Sequence, residues 1–446
     1  MEDRLRKAAR QALDYAARPG VEAEVYGLCK RVLQIEVARQ QVETLKDASE
    51  KGLGIRIINR GRLGFAYTTD IDRQAIEEAV QSALEASIYM AADEHLNLTP
   101  PGMVYPQLRI FDTAVDKYQI EEKIALARQM ETAARDADRR ITIIERSGYE
   151  QQSYEVTICN SLGLNVNARG NYCGLYLYAV AEQDGDAQGG FASKSCRNYA
   201  DLDPEAVAGE ASRRALRSLK ARSMASQCLP CILEPYVAVK FLSLLARMMD
   251  AEAVSKGKSL LADKIGEAVA ANLLTVVDDA TLDGGLATFP FDDEGVPAQQ
   301  HTLIKQGVLQ GFLYDNYNAH KTGLKSTGHA MRMSFRSLPA ISPSNLMIQA
   351  GAADEASLIG SLAEGLYVTD IMGMHTANPV SGDFSLGATG IVIKQGRLTY
   401  PVRGLVIAGN MIKLLQDIDA LGTEVRFFGS RGAPSLRVAS LSVAGS

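Results

Sequence analysis

Tryptophan is absent from the 446-residue chain, and histidine and cysteine are scarce, at five and six residues. That scarcity confines any metal or thiol chemistry to a handful of positions that can be taken one at a time. Charge of one sign is not in excess: 47 basic and 53 acidic side chains leave a formal charge of −6, and no basic half or tail stands out. Phosphate binding needs clustered Lys and Arg, so nucleic acid is excluded as the main partner. No window reaches the ~18 consecutive apolar residues of a membrane span. The first twenty residues (MEDRLRKAARQALDYAARPG) carry charge throughout, where a secretory signal has an apolar stretch. These absences predict a cytoplasmic protein whose cysteines are reduced thiols, too sparse for a disulfide framework.

What is present is ordinary for a soluble globular protein, with 46% hydrophobic and 22% charged residues. At roughly 100–200 residues per domain the length predicts two to four domains. Leu5, Ala8, Ala9, Ala12, Leu13 and Ala16 recur at helical spacing until Pro19-Gly20 stops the run. Glu22–Leu28 and Arg31–Gln40 read as extended, and Gly52–Tyr67 as a hairpin turning at Asn59-Arg60-Gly61. Asp70 or Asp72 then caps a helix with Ile76, Ala79, Val80, Ala83 and Leu84 on one face.

The same order returns further on. Tyr118–Asp136 is helical by pattern; Ile141–Ile144, Ser153–Cys159 and Leu175–Ala181 are strand-like; Asp203-Pro204 opens a helix to about Leu219. Two α-β-β-β-α segments are therefore expected, residues 1–94 and 118–227, joined by a linker over 95–117 that contains Pro100-Pro101-Gly102. From residue 228 to 446 the texture becomes short β-like runs and glycine turns, with few helices after Val237–Met249. Ile304–Leu309 (IKQGVL) and Ile393–Leu398 (IKQGRL) repeat a hairpin pattern around Gln-Gly, suggesting a large β-rich domain with some internal symmetry. The fold class read from the chain is α+β.

The histidines, His95, His301, His320, His329 and His375, are never within five residues of one another, so no local zinc pair exists. Cys228-Leu229-Pro230-Cys231 has redox or zinc-knuckle spacing, but it runs into a strand-like Ile232-Leu233 and has no second CxxC to complete a zinc site. Gly323-Leu324-Lys325-Ser326-Thr327-Gly328 lacks the glycine directly before the lysine that a phosphate loop needs, and reads as a turn. Asp292-Asp293-Glu294 could supply paired carboxylates, although between Pro290 and Pro297 such residues more often cap turns. Spacing alone names no active site.

Several longer stretches carry more. Leu273–Asp279 (LLTVVDD), Phe291–Pro297 (FDDEGVP), Leu303–Tyr314 (LIKQGVLQGFLY), Ala319–Ala330 (AHKTGLKSTGHA), Ser381–Ser385 (SGDFS) and Tyr400–Asn410 (YPVRGLVIAGN) resemble the TldD/PmbA family, once described as modulators of DNA gyrase. The resemblance covers essentially the whole chain. It implies a peptidase system in which TldD-like members bind catalytic zinc through an H-E-x-x-x-H helix and a later cysteine. PmbA-like members, also called TldE, lack those ligands and pair with TldD as a heterodimer. Removal of leader segments from modified peptides and cleavage of unfolded peptides are the activities implied.

On the family's register Ser243, Leu244 and Met248 stand where His, Glu and His are expected, no histidine occurs between His95 and His301, and no cysteine follows Cys231. None of these three side chains is an ordinary zinc ligand or a general base. Positions five apart on a regular helix also diverge by about 140°, so a chain freed from metal binding need not keep the distortion that convergence requires. The resemblance thus implies a PmbA/TldE-like, non-catalytic subunit with no cofactor of its own, zinc being held by a TldD-like partner. Its expected partners are that subunit and an extended or unfolded peptide, and a homodimer is one form open to it when alone. Asp292, Glu294, His329, His375 and Asp383 are the peptide-channel candidates. Two other readings stand beside it: a non-enzymatic peptide-binding or regulatory module, and a stand-alone peptidase using an unrecognised site.

Overall fold

The computed structural model describes residues 2–445. Helix α1 (Glu2–Ala16) leads into three antiparallel strands, β1 (Val21–Ala38), β2 (Gln41–Asn59) and β3 (Arg62–Thr68), and then α2 (Arg73–Ile88). After an irregular crossing come α3 (Ile120–Ala137), β4 (Ile141–Asn160), β5 (Asn165–Gln183), β6 (Asp186–Cys196) and α4 (Pro204–Arg217). Asp72 and Asp203 cap α2 and α4 by accepting the Ala75 and Ala206 amides, each satisfying one orphan N–H of the first turn.

Both α-β-β-β-α segments belong to one sheet, ordered β3-β2-β1-β4-β5-β6, because β1 pairs antiparallel with β4. The strands are longer than the apolar patterns suggest. β1 and β4 each run unbroken through stretches read from sequence as two pieces, and β2 includes the polar Gln41–Lys51, whose alternation is too weak to signal a strand. Backbone pairing with β1 holds that segment.

The two-residue period of a strand sorts the two faces of this sheet. Ala23, Val25, Leu33, Ile35 and Val37 of β1 are buried beneath the four helices, Ala23 and Val25 under α1 and α2, the other three under α3 and α4. Glu24, Tyr26 and Leu28 point the other way, and Tyr26 and Leu28, with Val156 and Ile158 of β4, meet Phe291 and Phe335 from the C-terminal half. That contact depends on two glycines of β2. A Cβ on Gly54 would lie 2.3 Å from the Phe335 carbonyl oxygen, and one on Gly52 would lie 2.4 Å from its ring.

The C-terminal half begins with β7 (Gln227–Leu233) and α5 (Pro235–Met248). β7 lies in a six-stranded sheet with Glu364–Met372, Asp383–Lys394, Arg397–Asn410, Ile418–Leu421 and Leu436–Ala444, and a further pairing of Arg397–Asn410 with Leu436–Ala444 turns this sheet back on itself. A second six-stranded sheet includes β8 (Val276–Asp279) and β9 (Gln300–Lys305). α5 packs between elements of both sheets in the largest apolar core. The two Gln-Gly hairpins are present, with Gln306-Gly307 and Gln395-Gly396 all at positive φ, the left-handed pair that a tight hairpin turn requires.

Candidate functional site

α5, which holds the positions where the resemblance implies a metal motif, is a regular helix. Ser243 is exposed and donates its hydroxyl back to the Val239 carbonyl at 2.9 Å, while Leu244 and Met248 are 2% and 0% exposed inside the core. A thioether and an isobutyl group packed among Val237, Phe241 and Leu245 offer no donor set for zinc. Among the described residues no group of three His, Cys, Asp or Glu side chains is arranged to hold a metal ion. The residues present do not fit the family's metal.

Of the five channel candidates, three come together where the N-terminal sheet meets the C-terminal half. Asp292 and His329 line a cavity of about 310 Å³, and Glu294 lines a second space together with Arg56 and Asp315. His375, on a short turn, and Asp383, at the start of a strand, are exposed and line neither space. The cavity wall from the sheet is Tyr26 and Leu28 of β1 and Tyr154 and Val156 of β4, all on the face opposite the helices. Across from them stand Phe289, Phe291 and the exposed Met331 and Met333, with Asp293, His329 and Arg332 as polar groups. An apolar chamber with a few convergent polar groups is the usual form of a ligand site.

Each carboxylate has a distinct task. Asp292 accepts the amides of Glu294 at 3.0 Å, Val296 at 2.9 Å and Ala330 at 3.0 Å. Burial, and then Glu294, hold its carboxyl above the usual range. It therefore shapes the turn, as its proline-flanked position suggested. Glu294 accepts from Arg56 at 2.7 Å and from the Asn316 amide at 2.9 Å. Arg56 reaches Glu24 at 3.0 Å, and Glu24 accepts from Arg332 at 2.6 Å. Burial opposes the Arg56 charge, but Glu24 and Glu294 outweigh it and hold the guanidinium above its ordinary value. This buried chain of charges joins two neighbouring strands of the sheet to two loops of the C-terminal half.

Asp293 accepts the Arg332 amide at 2.6 Å and the Tyr26 hydroxyl, and burial raises it to about 6. Tyr26 is raised in turn, by burial first and by Asp293 second. His329 has both ring nitrogens engaged, one with Thr327 at 2.8 Å and the other with Asp278 at 2.9 Å, and Ser344 also bonds Asp278. Both ring nitrogens are thus held in place by hydrogen bonds within the protein. His301 stacks obliquely on it at 5.4 Å, and burial pushes its imidazole below the ordinary value.

Arg197 completes the frame. Its guanidinium, in a residue only 4% exposed, donates to the carbonyls of Gly285, Leu286, Thr288 and Asn171 and to the Tyr154 hydroxyl, at 2.8–3.1 Å. It ties the end of β6 to the loop that carries Leu286, Ala287 and Thr288 along the cavity wall. The sequence reading missed Glu24, Tyr26, Arg56, Arg197 and Arg332, and took Asp293 only as one of a carboxylate cluster. A signal did exist for two of them, since Glu24 and Arg56 are charged residues inside otherwise apolar strands (EAEVYGL and GLGIRIIN), where strict alternation turns a charge toward a buried face.

Three family models match consecutive parts of this chain: PmbA/TldA metallopeptidase domain 1 over residues 23–87, the central domain over 114–219 and the C-terminal domain over 226–445. The chain is 29% identical to metalloprotease PmbA of Escherichia coli O157:H7, over 99% of this chain and 96% of that protein. It is also 29% identical to a metalloprotease TldD homolog of Haemophilus influenzae, over 83% and 78%. Among solved structures, a Thermotoga maritima protein named as a modulator of a DNA gyrase superposes with a TM-score of 0.91 at 26% identity, covering 98% of this chain and 99% of that one. TldE from Thermococcus kodakarensis shares the fold, with a TM-score of 0.89 at 24% identity over 99% and 100%.

Proposed function

Because the chain belongs to the PmbA/TldD metallopeptidase family, we propose that it is the PmbA/TldE-like, non-catalytic member of a two-subunit zinc metallopeptidase acting on unfolded or leader peptides. The observation that carries this reading is the chemistry of α5: Leu244 and Met248 are core residues where a general base and a metal ligand are expected. The subunit's part is then to bind and present peptide beside a TldD-like partner that supplies zinc, with strand-like addition of the peptide backbone giving affinity with little sequence preference. The apolar cavity between sheet and loops, rimmed by the adaptable thioethers of Met331 and Met333, supports a role in holding apolar side chains of varied shape.

The test is zinc content and peptidase activity of the purified chain, alone and with a family member that carries H-E-x-x-x-H. The expected result is peptide cleavage only in the pair, with zinc stoichiometric to the partner. Stoichiometric zinc and cleavage by this chain alone overturn the proposal, and peptide binding without cleavage even in the pair favours a binding module instead. As a structural check, Ser243→His with Met248→His should create no stoichiometric zinc site. Placing an imidazole at fully buried position 248 should also cost roughly 1–3 kcal/mol.

A further inference from the structure

The one cysteine motif visible in the sequence is the wrong geometry for a disulfide. Cys228 and Cys231 lie three positions apart on β7, one exposed and one buried, so they face opposite sides of a strand about 10 Å apart. Cys29 and Cys159 lie on paired strands but out of register, since Cys29 opposes Glu155 and Cys159 opposes Val25. Cys173 and Cys196 are different. They stand directly opposite each other across β5 and β6, with the Cys173 thiol donating to the Cys196 carbonyl at 3.9 Å and the Cys196 thiol to the Asn198 carbonyl at 3.1 Å. Opposed residues of an antiparallel pair have Cα atoms about 4.5–5.5 Å apart, inside the ~4.4–6.8 Å that a disulfide spans.

The two sulfurs are not equivalent. Cys173 is fully buried in the core under α3 and α4. Cys196 is half-buried at the rim of a surface hollow with Lys194, Asp201 and Glu205. The proximity of Cys173 holds the Cys196 thiol below its ordinary value against the opposing effects of burial and the Asp201 carboxylate, with Lys194 and the Asn198 backbone as smaller aids. The same proximity and burial push Cys173 up, while the buried Lys123 ammonium works in the other direction. One thiol is accessible and more readily ionised; the other is shielded and positioned to follow it.

We propose that Cys173 and Cys196 are a redox modification site, closing a disulfide by exchange with a small soluble disulfide. The Cys196 thiolate attacks one sulfur of that molecule, forming a mixed disulfide and releasing one thiolate. Cys173 loses its proton and attacks the Cys196 sulfur, forming the intramolecular bond and releasing the second thiolate. Two protein thiols are oxidised and one small disulfide is reduced to two thiols, which balances the two electrons and two protons. The bond lands on the residue before Arg197, at the root of the clamp on the cavity loop.

The experiment uses the full chain, reduced and then incubated with oxidised glutathione, after which remaining thiols are alkylated and peptides are mapped by mass spectrometry. The expected product is a linked peptide pair through Cys173 and Cys196, with exposed Cys228 carrying a single glutathione. Cys173→Ala should trap the mixed disulfide on Cys196, and Cys196→Ala should leave Cys173 a free thiol. The proposal is overturned if both cysteines remain alkylatable when Cys228 is glutathionylated. It is equally overturned if Cys196 in the unaltered chain stops at the glutathione adduct.

Discussion

Glu24→Gln removes one negative charge from a site that holds two guanidinium groups. The Glu24 side chain is 0% exposed, and the Arg56 and Arg332 side chains that donate to it are 8% and 1% exposed. The two arginines do not suffer equally. Arg56 keeps Glu294 at 2.7 Å. Arg332 has Glu24 as its one ion-pair partner among the described residues, and is left with the carbonyls of Asp293 and Ser337. Breaking a buried pair from one side strands the other charge, at a typical cost of about 3–5 kcal/mol. Removing both charges with Glu24→Gln and Arg332→Met should restore part of that loss, because an apolar side chain no longer needs a counter-charge. Urea denaturation followed by midpoint and slope measures each variant. The reasoning is refuted if Glu24→Gln costs less than about 1 kcal/mol, or if the double variant is as unstable as the sum of the two single ones.

The Asp293 carboxyl, raised by burial to about 6 from an ordinary 3.8, binds its proton more tightly in the folded chain than in the unfolded one. Stability from this group is therefore full in acid and declines as pH rises from about 4 to 6, by up to about 3 kcal/mol. Asp293→Asn should flatten that decline, and parallel pH–stability curves for the two proteins count against the assignment. Phe335→Ala empties a fully buried site between the halves and should cost about 3–5 kcal/mol. Gly54→Ala, whose Cβ meets Phe335 backbone rather than a movable side chain, should be destabilising even though the φ there suits any residue. A neutral Gly54→Ala in thermal denaturation contradicts the close approach.

Much of the fold was legible. Periodic apolar residues marked the helices, Asp70 or Asp72 and Asp203-Pro204 marked two helix starts, and Gln-Gly marked both hairpins, because each depends on residues within a few positions of one another. The lengths of β1, β2 and β4 were not legible. Gln41–Lys51 is exposed along most of its length and owes its extended form to ladder bonds with β1 rather than to its own side chains. The candidate site was legible only in fragments. Asp292, Glu294 and His329 stood in family-like stretches and converge at the junction of the two halves, whereas His375 and Asp383 stood in similar stretches and remain at the surface.

What the sequence alone determined is the chemistry that α5 can and cannot do. No folding turns Leu244 into a base, or Ser243 and Met248 into the histidines of a zinc site, since donor chemistry belongs to the side chain and not to its surroundings. What only the tertiary structure decided is which distant residues act together. Glu24 meets Arg332 across 308 positions and Arg56 meets Glu294 across 238, and Cys173 meets Cys196 through hairpin register rather than through any motif. Local periodicity carries no information over such separations. The cavity, its buried charges and the paired thiols arise from the packing of one face of a sheet and the register of its strands.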